Sequence, residues 1–215
     1  NGGNVSTVLS VRSTNAGINK PIVIEGTAGS GNRIFNVVDN ARGNITIGST
    51  AGNISLLNGF VNTDSGSNQG EFIRVELGGA DGLLTVTNTT ILSASGNITL
   101  IADQMALDIN NATIDNRITD AQVLLRPTSI DTIISIGDGS ADSGTTLGLT
   151  EAELDRISSS SLVIGNKTNT GGIIDGGGGN LDLQGNNISE LVLITGGSIN
   201  TDSNIIHLDS AARLT

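Results

Sequence analysis

The chain has 215 residues and carries 21 acidic against 10 basic side chains, a formal net charge of −11. That balance, with Lys and Arg scattered singly, excludes a nucleic-acid binder, which needs a basic stripe. The absence of cysteine excludes disulfide frameworks, thiolate metal sites and thiol nucleophiles.

Hydrophobic residues make up 36% of the chain and are nearly all Ile, Leu and Val, beside three Phe, one Met and no Trp or Tyr. Charged residues are 14%, against about 25% in an ordinary globular protein. The 30 glycines are about twice the usual share. This is a composition for narrow aliphatic strands joined by many polar corners, and it is too rich in branched aliphatics for disorder. No apolar stretch approaches the ~18 residues of a membrane-spanning helix. The chain starts at Asn1 with no basic segment followed by an apolar one, so no signal peptide is expected. The expected origin is a processed product or an excerpt of a longer protein.

In chain order, short apolar runs fall at Val5–Val11, Ile22–Ile24 and Ile34–Val38. Gly43–Gly48 (Gly-Asn-Ile-Thr-Ile-Gly) and Gly52–Leu57 (Gly-Asn-Ile-Ser-Leu-Leu) come next. Phe72–Leu77 alternates strictly, the period of a strand with one wet face, and Leu83–Val86 follows. Gly96–Asp108 then holds a turn pair, a β-branched run, a polar corner and a second apolar run. Further runs are Val123–Leu125, Ile133–Ile136, Leu162–Ile164, Leu181–Leu183, Leu191–Ile194 and Ile205–Leu208, with Asn186–Leu191 repeating the Asn-Ile unit. Gly, Asn, Asp and Ser between the runs tolerate left-handed corners. Asn58-Gly59 is the one clear hairpin dipeptide, and no alternating strands flank it.

Asn53 and Asn97 are 44 residues apart, Asn97 and Asn187 are 90, and Ile47 and Ile136 are 89. All are near multiples of ~22, a solenoid-like period. The expected fold is all-β: a β-solenoid of about ten coils in one domain spanning 1–215, its rungs ~4.8 Å apart. Asn97 is expected to stack with Asn53 and Asn187 at one corner, with Ile98 and Leu100 pointing inward. One short helix is expected near 151–157. Thr150 and Glu153 have capping-box spacing, Leu149 can staple against Leu154, and Ser158–Ser161 closes the segment.

Gly96–Asp108, Val123-Leu124-Leu125-Arg126-Pro127, Leu147-Gly148-Leu149-Thr150, Glu153-Leu154-Asp155-Arg156-Ile157 and Leu162-Val163-Ile164-Gly165 follow one another in an order that resembles a known repeat. It is that of the large bacterial exoproteins of the filamentous haemagglutinin type. The match covers about a third of the chain. It implies a long right-handed parallel β-helix exported by two-partner secretion through an outer-membrane protein. The Asn-Pro-Asn-Gly-type motifs of that family's secretion domain are absent, so the resemblance places this chain in an interior or downstream piece.

Chemistry-bearing candidates are few. Asn62-Thr63-Asp64-Ser65-Gly66 and Asn200-Thr201-Asp202-Ser203 resemble a polygalacturonase motif, but glycoside cleavage needs paired carboxyls about 5–10 Å apart. No adjacent Asp pair, Gly-His-Gly or basic clamp accompanies them, and Asn and Asp at turns are the commoner use. His207, the sole histidine, alternates with Ile206 and Leu208 and is expected to face solvent; alone it makes a poor metal site or general base. Lys20 and Lys167 are the only lysines. Asp138–Gly144 resembles half a calcium loop but has Ser143 and Leu149 where an EF-hand needs Gly and Glu. A solvated loop is the expectation there.

Gly176–Gly179 lacks the Lys-Ser/Thr of a phosphate loop and reads as a flexible corner. Asn44, Asn53, Asn88 and Asn97 begin Asn-X-Ser/Thr triplets, explained by Asn at a corner before a strand. Phe35, Phe60 and Phe72 are the only rings, with Phe35 and Phe72 expected within strands, too few for a stacking surface. Arg42-Gly43-Asn44 falls one residue short of an integrin tripeptide and carries no weight.

The expected function is therefore a non-enzymatic, secreted structural protein, an adhesin-type rod or fibre subunit at a bacterial surface or outside the cell. No catalytic, cofactor-binding or metal residues are assigned. Its expected partners are copies of itself, surface molecules of host or neighbouring cells, and an outer-membrane secretion protein. The alternatives are a β-helical polysaccharide hydrolase or lyase, discriminated by a carboxylate pair, and a calcium-stabilised module, discriminated by melting with chelator.

Overall fold

Every strand ladder among the described residues is parallel, with partners from 13 residues apart (Ile133 and Thr146) to 43 (Ile114 and Ile157). The computed structural model describes residues 10–13, 22–26, 32–39, 44–50, 52–63, 72–93, 96–109, 111–116, 121–201, 205–208 and 213–215, with side chains from 44 onward except 108 and 109.

The chain opens with β1 (Ser10–Ser13), β2 (Ile22–Gly26), β3 (Asn32–Asp39), β4 (Ile45–Ser49) and the bent β5 (Ile54–Thr63). Two regular passages of three strands follow: β6 (Ile73–Leu77), β7 (Leu83–Thr87) and β8 (Thr90–Ser93), then β9 (Ile98–Ile101), β10 (Gln104–Ile109) and β11 (Thr113–Asn116). The next passage is enlarged: β12 (Gln122–Arg126), β13 (Ile133–Ile136), β14 (Thr146–Leu149), the helix α1 (Glu151–Leu154) and β15 (Ile157–Ser159). Last come β16 (Ser161–Asn166), β17 (Ile173–Asp175), β18 (Leu181–Asp182), β19 (Glu190–Thr195), β20 (Ile199–Asn200), β21 (Ile206–His207) and β22 (Arg213–Leu214).

Among the described residues one sheet runs from Ile22 to Leu214 in the order β2-β4-β6-β9-β12-β16-β19-β22. Its register stacks Ile45, Ile73, Ile98, Val123, Leu162 and Leu191 in one inward column. A second column holds Ile47, Val75, Leu100, Leu125 and Ile164. No member of either exceeds 1% exposure, and each aliphatic so buried contributes about 1.5–3 kcal/mol. A second sheet supplies Val61, Ile91, Ile114 and Ile157 in register, also buried. Side chains of one type meet across the narrow interior because the period-two pattern repeats in phase on every strand.

The expected inward placement of Ile98 and Leu100 holds. The expected ~22-residue period does not: steps along the continuous sheet run from 23 residues (Ile22 to Ile45) to 39 (Val123 to Leu162). Among the described residues that sheet holds eight strands, separated by loops of unequal length. Nor do the three asparagines share a corner. Asn97 abuts β9 in the continuous sheet, Asn53 abuts β5 in another, and Asn187 lies three residues ahead of β19. Multiples of a period cannot say which side of a passage a residue starts.

The helix forms where expected but is shorter. Thr150 is its N-cap, the capping box with Glu153 is complete, and acidic Glu151 and Glu153 lie in its first turn. It ends at Leu154, and Ile157 already begins a strand. Ser158–Ser161, read as the helix stop, instead carries β15, a bend at Ser160 and the start of β16. Leu149 and Leu154 are both fully buried in one core cluster. Phe72 lies just outside β6 and is 38% exposed, contrary to its expected strand placement; Phe35 falls within β3.

Candidate functional site

Four Gly-Asn-Ile/Leu corners work alike. Asn44, Asn53, Asn97 and Asn180 each stand directly before a strand. Their Oδ1 atoms accept from the amides of Phe72, Leu83, Gln122 and Ile205 at 3.0, 2.9, 3.0 and 2.9 Å. Each donor lies in the following passage of the chain, so the side-chain carbonyl extends the parallel ladder one step past the strand. A second kind of corner uses left-handed backbone: Asn58, Asn88 and Asn111 have φ of 51, 44 and 63°. Asn58-Gly59 thus makes a bend inside β5, not a hairpin, and its side chain receives the Asn88 amide at 3.1 Å.

Asp103, in the polar corner of Gly96–Asp108, is 1% exposed. Its Oδ1 accepts from the Thr128 and Ser129 amides at 2.9 and 2.7 Å and from Thr132 Oγ1 at 3.3 Å. Its Oδ2 accepts from Ser129 Oγ at 2.6 Å and the Asp81 amide at 3.3 Å. One carboxylate thus ties together corners from three passages, and those bonds offset its desolvation.

The enlarged passage uses carboxylates in another way. β10 pairs with β7 on one side, and β14 pairs with β13 but makes no ladder with β10. At that seam the Met105 amide donates to Asp142 Oδ2 at 2.9 Å and the Leu107 amide to Glu153 Oε1 at 3.1 Å. Asp142 Oδ1 also accepts from the Gly148 amide at 2.9 Å, so that side chain bridges β10 and β14. Glu153 Oε2 accepts from Thr150 N and Oγ1, both at 2.9 Å. Beyond the helix, Glu151 Oε2 accepts from the Asp182 amide of β18 at 2.9 Å. Burial pushes the Asp142 carboxyl up to about 6.

The sequence candidates fall as follows. Asp64 and Asp202 lie outside the described residues, as do Lys20 and Arg42. His207 is half-buried, as are Ile206 and Leu208 beside it, so strict alternation does not hold in that short strand. Its carbonyl accepts from the Leu183 amide at 2.9 Å. Asp138–Gly144 and Gly176–Gly179, read separately, meet: the Gly139 amide donates to the Gly177 carbonyl at 2.9 Å. In that loop Asp142 is committed to backbone amides, and Ser140 Oγ to Ser135 Oγ at 3.0 Å. Among the described residues no three His, Cys, Asp or Glu side chains cluster as metal ligands would.

Two surfaces remain. On the outward face of the continuous sheet, Leu124, Val163 and Val192 stand in register and floor an open groove edged by Gln122, Lys167 and Glu190. Glu190 is ion-paired with Arg213, whose hydrogen bond holds its carboxyl below the usual range. At the last described passage, Ile199, Ile205 and Leu214 are exposed by 49, 58 and 53%, and β20, β21 and β22 each pair on one side only.

Asp103 was not singled out from sequence; Asp142 was read only within the Asp138–Gly144 run, as part of a solvated loop, and Glu151 only as a first-turn acid of the helix, so their bonds to the Met105, Gly148 and Asp182 amides were not foreseen. Asn180 had a visible signal, since Gly179-Asn180-Leu181 repeats the Gly-Asn-Ile corner. No family model, no curated protein and no solved structure matches this chain.

Proposed function

We propose that this chain is a length of right-handed β-solenoid belonging to a non-enzymatic structural protein, an adhesin-type rod or fibre subunit outside a bacterial cell. The observation that carries this reading is where the polar groups are spent. Asn44, Asn53, Asn97 and Asn180, Asp103, and Asp142, Glu151 and Glu153 all accept backbone or hydroxyl hydrogens from neighbouring passages. Side chains used in this way join one passage to the next, which is the chemistry of a scaffold. The aliphatic columns of the continuous sheet, running through five and six strands, support the same reading: every strand can serve as template for the next.

The open ladder edges of β20, β21 and β22 and the exposed Ile199, Ile205 and Leu214 suit a further parallel strand layer, supplied by more coils or by another copy. The resemblance to filamentous haemagglutinin-type exoproteins favours an extracellular place and export through an outer-membrane partner. Electron microscopy of the native material tests the reading; rods or continuous fibres are expected, and compact isolated particles would overturn it. The hydrolase alternative is tested separately, by incubating the purified chain with uronic-acid polymers. Cleavage that disappears in Asp64→Ala or Asp202→Ala would replace the structural reading with an enzymatic one.

A further inference from the structure

Cations that are scattered along the sequence are gathered by the fold onto one side. Among the described side chains, Arg74, Arg126, Lys167 and Arg213 all lie on or beside the outward face of the continuous sheet, against Glu76 and Glu190 there. Arg156 is the one other described Lys or Arg. Arg74 takes Glu76 at 2.7 Å and Arg213 takes Glu190. Arg126 and Lys167 are left without a carboxylate of their own among the described residues, so this face is locally positive in a chain of net charge −11. Beside them runs the groove floored by Leu124, Val163 and Val192, with Ile194 exposed at its edge.

The opposite composition lies on the β13–β17 side. Asp131 and Asp138 flank β13, both exposed, and Asp175 ends β17. Ile130 is exposed beside Asp131, and Ile174 beside Asp175. The loops bearing Asp138 and Asp175 meet through the bond from the Gly139 amide to the Gly177 carbonyl. Residues 127–149 and 168–182 contain no Lys, Arg or His. One side is thus aliphatic with cations and the other aliphatic with acids. Both are built from the same passages, β12 leading into β13 and β16 into β17.

We propose that the outward face of β12, β16 and β19 is a lateral docking surface for a second copy of this chain, which meets it with its acidic β13–β17 side. The proposal rests on the reading of the chain as a rod and extends it from stacking of coils to sideways bundling. Opposed charges set the orientation, and the aliphatic floor supplies the contact. The groove carries no aromatic ring on which a sugar would stack, which favours a protein partner over a glycan. Because the two faces differ, the contact is heterologous and can repeat from copy to copy. The net charge opposes crowding, but at about 0.1 M salt its field reaches only about 10 Å, so the facing side chains decide.

Sedimentation velocity of the chain over a concentration series, at about 0.1 M salt, tests this. The wild type is expected to shift to larger species as concentration rises. Lys167→Glu and Asp138→Lys, both at exposed positions, should each weaken association about tenfold or more, and mixing the two variants should restore it. Carbodiimide coupling of mixed isotope-labelled and unlabelled wild type gives a second readout: amide links from Lys167 of one copy to Asp131, Asp138 or Asp175 of another are expected. A wild type that stays monomeric at every concentration, or charge reversals that leave association unchanged, would overturn the docking surface. So would monomers that bind a uronic-acid polymer through Lys167, which would assign the face to a glycan. Single, unbundled rods in the electron microscope would remove the sideways contact and leave the rod reading standing. Compact particles whose association still depends on Lys167 would do the reverse.

Discussion

Asp103 shows how much one corner residue can hold. Its carboxylate accepts five hydrogen bonds from Asp81, Thr128, Ser129 and Thr132 while 1% exposed. Asp103→Ala leaves those donors without their acceptor, and we expect it to cost about 3 kcal/mol or more, read as a lower urea midpoint. Asn97→Ala removes a single, exposed acceptor from the Gln122 amide; water replaces it, so a loss of about 0.5–1.5 kcal/mol is expected in the same measurement. If the two variants unfolded at the same urea concentration, the role given to Asp103 would be wrong. The asparagine corners were legible in sequence as Gly-Asn-Ile triplets. Asp103 was not, because nothing local distinguishes an aspartate that will face three corners from one that will face water.

Elements come next. α1 was readable because a capping box is a local device: Thr150, Glu153 and three intervening bonds of chain decide it. The further bond from Leu107 to Glu153 spans 46 residues and was invisible. Thr150→Ala is expected to cost about 1 kcal/mol, the ordinary worth of a cap. Glu153→Ala should cost more, since it also strips the β10 edge, and thermal melts of the two variants give the comparison. The turn at Gly139 offers a second contrast. A Cβ there would collide with the Gly176 carbonyl oxygen, whereas at Gly177 (φ +76°) it meets nothing within 4 Å. Gly139→Ala is expected to cost about 1–3 kcal/mol through overpacking. Gly177→Ala should lose only the 1–2 kcal/mol of a left-handed non-glycine residue. Chemical denaturation of both variants tests that order.

At the scale of the molecule, the eight strands of the continuous sheet span on the order of 35 Å at the normal inter-strand spacing. The inward columns differ sharply from the outward ones in what they tolerate. Ile98→Ala in the fully buried column is expected to cost about 2–5 kcal/mol. Thr99→Ala, one residue along and half-exposed, should stay within about 0.5 kcal/mol. Equal losses in calorimetry would mean that the inward and outward faces of β9 are misassigned.

By itself the sequence determined the strand content, the parity that sends Ile98 and Leu100 inward, the corner chemistry and the helix start. All of these depend on residues within a few positions of one another, where periodicity and turn preference act. The tertiary structure decided the strand order of the continuous sheet among the described residues, the unequal 23- to 39-residue steps, and the separation of Asn53, Asn97 and Asn187 onto different approaches. It also decided which acids close the β10–β14 seam. Those outcomes depend on which strand lies above which, and loop length is free to vary while the strand register stays in phase.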